Sequence, residues 1–74
     1  MNTVLIIEDD KAIVDVLKMI LEHDGFRIEK AFNGPTGIEK YKEVTPDIVL
    51  LDIRMPKMDG IEVLQEIRKF DRSA

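Results

Sequence analysis

Two short runs of uninterrupted aliphatic residues, each closed by a carboxylate, constrain this chain more than any other feature. Thr3-Val4-Leu5-Ile6-Ile7 runs into Glu8 and Asp9, and Ile48-Val49-Leu50-Leu51 runs into Asp52. A half-exposed strand alternates apolar and polar residues, whereas a strand apolar at every position is covered on both faces, as inner strands of a parallel sheet are. The two runs therefore read as strands over 3–7 and 48–51.

The segments around them read as crossovers. From Lys11 to His23 the residues Ile13, Val14, Leu17, Ile20 and Leu21 recur at helical spacing, with Asp10 placed to cap the start and Gly25 to follow the end. Phe26 to Ala31 alternates, Phe26 and Ile28 apolar against Arg27 and Glu29 charged, which suits an edge strand. Asn33-Gly34-Pro35 reads as a break, and a weaker helix follows over 36–44 on Ile38, Tyr41 and Val44, with Pro46 preventing its extension. After a loop containing Pro56, Asp59-Gly60-Ile61-Glu62 resembles a capping box, and Ile61, Leu64 and Ile67 make a third amphipathic helix.

The order is βαβαβα. Right-handed crossovers put the alternating strand outermost and the two apolar runs side by side, giving a parallel sheet of order 2-1-3 with helices on both faces, a three-layer α/β fold. Seventy-four residues make one domain, and a chain of this size hides only about 60% of its unfolded surface, so burial by a partner would add materially to its stability. The formal charge of -4, with its basic residues scattered, points away from nucleic acid. No apolar run approaches a membrane span, and Glu8, Asp9 and Asp10 interrupt the first apolar stretch too early for a signal peptide. A cytoplasmic setting is expected, with no membrane partner.

In open parallel sheets ligands bind outside the carboxyl ends of the strands, where the winding reverses. Glu8 and Asp9 follow the first strand and Asp52 closes the third, so strands about 4.8 Å apart would present three carboxylates to one small volume. Their mutual repulsion is relieved by a hard divalent cation, and Mg²⁺ suits because it takes a few oxygen ligands while keeping waters for a phosphate to displace. No Gly-rich phosphate loop, nucleophile with a histidine base, or histidine pair for a metal is present, which argues against a freestanding enzyme.

On these residues the chain resembles the receiver domain of two-component response regulators. Val4-Leu5-Ile6-Ile7-Glu8-Asp9-Asp10 is similar to that family's first strand and acidic pair, Pro46-Asp47-Ile48-Val49-Leu50-Leu51-Asp52 to the strand ending in its phosphoacceptor, and Met55-Pro56-Lys57-Met58-Asp59-Gly60 to the loop that follows. The resemblance implies a flavodoxin-like fold. It makes Asp52 the nucleophile that takes a phosphoryl group from a histidine kinase or from a small donor such as acetyl phosphate. It makes Asp9 and Asp52 direct Mg²⁺ ligands, with Glu8 acting directly or through water and the backbone carbonyl of Arg54 completing the set. Family members continue into two further βα units that supply a Ser or Thr and a Lys. Residues 1–74 are thus expected to be the N-terminal part of a receiver, half of a doubly wound fold, with phosphorylation impaired. Lys11 and Lys57 are near enough in sequence to substitute weakly.

The third strand is written for burial, yet in a lone chain one of its edges has no neighbour. Such an edge recruits another strand, so a homodimer is expected, either by pairing of two third strands or by exchange of an element such as the last helix. A shortened module that dimerises without signalling is the competing reading. Other residues carry no chemistry: His23 suits a helix C-terminus, Asp59 is a cap, Met19 fills the core, Met55 and Met58 anchor a loop, Tyr41 sits at an amphipathic boundary, and Phe70 seals the last helix or the dimer.

Overall fold

A computed structural model describes residues 2–51 and 60–69 of the chain. Six elements follow in order: β1 (Thr3–Ile7), α1 (Lys11–His23), β2 (Arg27–Ala31), α2 (Gly34–Val44), β3 (Ile48–Leu51) and α3 (Gly60–Arg68). The three strands form one parallel sheet in the order β2-β1-β3. Fold class, element order and strand order all match the expectation from the aliphatic runs. β1 lies in the middle, and Val4, Leu5, Ile6 and Ile7 are each no more than 1% exposed, so every one of its side chains is covered.

The register is held at the base of the sheet. Asp47 clamps β3 onto β1: its N–H donates to the Thr3 carbonyl at 2.9 Å and its Oδ2 accepts the Thr3 N–H at 2.8 Å. Arg27 N–H donates to the Asn2 carbonyl at 2.9 Å and fixes β2 in the same way. Side chains alternate across β1, so the core divides in two. Val4 and Ile6 pack with Val14 of α1, flanked by Leu17, Leu21, Ile28, Phe32 and Leu50. Leu5 and Ile7 pack on the other face with Ala31, Tyr41, Val63 and Ile67 under α2 and α3. Gly37 lets α2 approach closely, because a Cβ there would stand 2.6 Å from Ile7 Cδ1.

Several expectations are corrected at finer grain. α2 begins at Gly34, not Thr36: the Asn33 side chain accepts the Thr36 N–H at 2.9 Å, and Pro35 sits in the first turn, where its missing N–H leaves no bond unmade. β2 begins at Arg27, not Phe26. Tyr41 is buried in the core instead of lying at its boundary, since α2 presses its Gly37 side onto β1. In α3 the residues facing the core are Gly60, Val63 and Ile67, a spacing of three and four, while Ile61 and Leu64 are exposed. Met19 is 70% exposed and fills no core. Ile13, Val16 and Ile20 of α1 are exposed too, because apolar residues cover more of this helix's circumference than one sheet face can bury.

One backbone conformation is unfavourable for its residue. Thr45 ends α2 in the left-handed region, with φ 46°, while its N–H donates to the Tyr41 carbonyl at 2.9 Å. A side chain with a Cβ costs about 1–2 kcal/mol there, more than the roughly 0.4–1 kcal/mol by which a glycine loosens the unfolded chain. Thr45→Gly is expected to raise the thermal midpoint by a few degrees, at about 4–8 °C per kcal/mol for a domain of this size, read by circular dichroism. A lower midpoint would show that the threonine is not strained.

Candidate metal and phosphoacceptor site

The candidate site is built where β1 and β3 end together. Parallel pairing aligns Ile7 with Leu51, the last residues of the two strands. Glu8 is the next residue after one of them and Asp52 the next after the other. Asp52 and Arg54 themselves lie outside the described residues, as do Met55, Lys57, Met58, Asp59 and Phe70.

The β1 side of the site is fully described. Glu8 N–H donates to the Ala31 carbonyl at 3.0 Å, which anchors the strand tip to β2. Its carboxylate Oε2 accepts the Asp10 N–H at 3.2 Å. Asp10 has extended backbone and caps α1, as its position before the first apolar residue suggested: Oδ1 accepts the Ala12 N–H at 2.9 Å and its carbonyl accepts the Val14 N–H at 3.1 Å. Asp9 is exposed, and its carboxylate has no hydrogen-bond or ion-pair partner among the described residues. Beside these acids a cleft of about 410 Å³ opens between α1 and β3, lined by Ile6, Ile7, Glu8, Leu17, Leu50 and Leu51. Among the described residues its walls are apolar except for Glu8.

Among the described residues no three His, Cys, Asp or Glu side chains are grouped closely enough to hold a metal ion. Glu8 and Asp9 contribute hard oxygen donors from one strand tip, and an uncommitted carboxylate at Asp9 is the donor type that Mg²⁺ takes. The β1 half of the donor set therefore fits such an ion. Lys11, considered as a substitute cation, has its ammonium 5.4 Å from the Phe32 ring centroid, with Lys30 at 6.0 Å from the same ring. Phe32 follows β2, so Lys11 leans to the side of β1 opposite β3. His23 is exposed in the last turn of α1, where a cation meets the helix dipole favourably.

Two contributions escaped sequence reasoning. Asp47 directly precedes β3 and carries the clamp to Thr3, a contact across 44 residues that leaves no local pattern. The Glu8–Asp10 bond was missed because an acid two residues before a capping acid reads equally well as a solvated charge.

With this geometry in view, comparison with known proteins is decisive. The response regulator receiver domain family model matches residues 4–74. The chain belongs to that family. It is 44% identical over 74 residues to the chemotaxis protein CheY of Bacillus subtilis, covering 99% of this chain and 62% of CheY. It superposes with a TM-score of 0.95 on the response regulator TrrA of Thermotoga maritima crystallised with Mg²⁺-BeF, at 38% identity, covering 100% of this chain and 64% of TrrA. The TrrA chain in a crystal structure with the histidine kinase ThkA gives a TM-score of 0.93 over the same shares. The receiver thus spans less than two thirds of the length of these relatives. Among its described residues no helix is long and apolar enough to cross a membrane.

Proposed function

We propose that this receiver is a phosphoacceptor of two-component signalling, taking a phosphoryl group onto Asp52 with the help of Mg²⁺, in the cytoplasm. The observation that carries the reading is the pairing of Ile7 with Leu51, because acids follow both of these aligned residues in the chain. Relatives with a bound Mg²⁺-BeF group and with a bound histidine kinase support it.

In this reading Asp9 and Asp52 hold the cation, with Glu8 beside them and the Arg54 carbonyl completing the protein's donors. When bound, Mg²⁺ supplies positive charge that offsets the phosphoryl oxygens. An Asp52 carboxylate oxygen forms the new O–P bond. The bond that breaks is the P–N bond of a kinase phosphohistidine, whose imidazole leaves and takes a proton, or the P–O bond of acetyl phosphate, which leaves acetate. Because such transfer is mainly positioning and charge neutralisation, Asp52 needs no general base. The chain acts as a substrate of its kinase and not as a freestanding enzyme.

Incubation with acetyl phosphate and Mg²⁺, followed by intact mass, should show one added phosphoryl group in the wild type and none in Asp52→Ala. An unmodified wild type that remains folded would overturn the proposal.

A second reading, of a non-signalling module that dimerises, is favoured by the outer side of β3. Ile48 is 42% exposed on this edge and the neighbouring cleft is apolar. Two β3 edges paired about a twofold axis, or exchange of α3 between chains, would cover this surface. Sedimentation velocity at micromolar concentration should give a dimer, with Ile48→Lys yielding a folded monomer because a lysine blocks the edge. A folded wild-type monomer would exclude dimerisation. Mg²⁺ uptake without phosphorylation would favour this second reading over the first.

A further inference from the structure

Two lysines meet at one aromatic ring beside the strand tips. Lys11 opens α1, and its ammonium lies 5.4 Å from the centroid of the Phe32 ring. Lys30 sits one residue before the end of β2, in register with Ile6, with its ammonium 6.0 Å from the same centroid. The ring is anchored, because Phe32 packs against the core of Val4, Ile6 and Val14. Both lysines are exposed, and neither makes an ion pair among the described residues. The acids next to them in the chain are already engaged: Asp10 accepts the Ala12 N–H, and Glu29 lies between Arg27 and Lys40.

We infer that Lys11 and Lys30 form an anion-collecting patch that draws a small phosphodonor, a phosphate-bearing anion such as acetyl phosphate, to the strand tips. The inference rests on the phosphoacceptor reading above. An aromatic ring attracts ammonium groups, and here a single ring gathers two charges that would otherwise stay apart. Their mutual repulsion is relieved by an anion beside them. At this end of the sheet such a device has work to do. Glu8, Asp9 and Asp10 follow β1, Asp52 follows β3, and the chain carries a formal charge of -4, so an anionic donor approaches against repulsion. Phe32 follows β2, so the patch lies on the side of β1 away from β3 and acts on the donor's arrival, not on the transfer at Asp52. Charges within about a Debye length, roughly 10 Å at 0.1 M salt, raise the local concentration of an oppositely charged ligand. For two lysines on this surface the effect is on the order of threefold.

The test is phosphorylation of the full chain by acetyl phosphate with saturating Mg²⁺, followed by intact mass over a range of donor concentrations. Lys11→Gln/Lys30→Gln removes both charges of the patch, and Lys42→Gln/Lys69→Gln removes as many from the far ends of α2 and α3. Circular dichroism checks that both double variants keep their helices. At about 0.1 M salt the first pair should raise the half-saturating donor concentration about threefold and leave the rate at saturation unchanged. The difference should vanish near 1 M salt, where the Debye length falls to about 3 Å. The second pair should change neither quantity. An unchanged half-saturation in the first pair overturns the inference, and so does an equal rise in both pairs, which would make it an effect of net charge. A fall only in the rate at saturation overturns it too, because a lysine would then act in the transfer step. A folded wild type that takes no phosphoryl group removes the phosphoacceptor reading by itself, and the patch is then read by titrating inorganic phosphate at constant ionic strength into the metal-free proteins. The Lys11, Lys30 and Phe32 amide resonances should move in the wild type and in Lys42→Gln/Lys69→Gln and stay in Lys11→Gln/Lys30→Gln. Unmoved resonances in the wild type overturn the patch.

Discussion

Everything in this receiver hangs on β1 pairing along both of its edges. Four consecutive aliphatic residues are removed from water there, alternating between two cores that share no other strand so completely. Each such side chain contributes about 1.5–3 kcal/mol when fully buried, a sizeable share of the 5–15 kcal/mol typical of a domain's net stability. The pairing also sets the site. β1 can bring an acid beside β3 only because Ile7 and Leu51 end in register, and that register is held at the far end of the sheet by Asp47 on Thr3.

The two sides of the sheet are finished differently. At the β2 edge, Glu29 lies 3.9 Å from Arg27 and 3.5 Å from Lys40, and charge discourages another strand from pairing there. At the β3 side the chain presents Ile48 and a cleft lined by Leu17 and Leu50, and Ile13, Val16 and Ile20 on α1 and Ile61 and Leu64 on α3 are exposed as well.

The three acids at the strand tip serve the fold unequally. Asp10 starts α1, Glu8 ties that start to the strand, and Asp9 is left exposed between them. A charge needed by the fold is not available to a ligand without loss to the fold.

Much of this was legible from the residues alone. Runs without polar interruption required burial on both faces, which demands inner parallel strands; crossover handedness then gave the order β2-β1-β3, and Asp10 and Gly25 marked the ends of α1. These features are local, or follow from chain connectivity, so the letters determined them. What the letters left open was which side of each helix the sheet would take. The apolar arcs of α1 and α3 are wider than one contact, and only packing chose Val14 over Ile13, Val63 over Ile61, and buried Tyr41 over a boundary position. The same holds for Asp47 and for the bond from Asp10 N–H to Glu8: their partners are set by where the backbone closes on itself in space, and no periodicity along the chain encodes that closure.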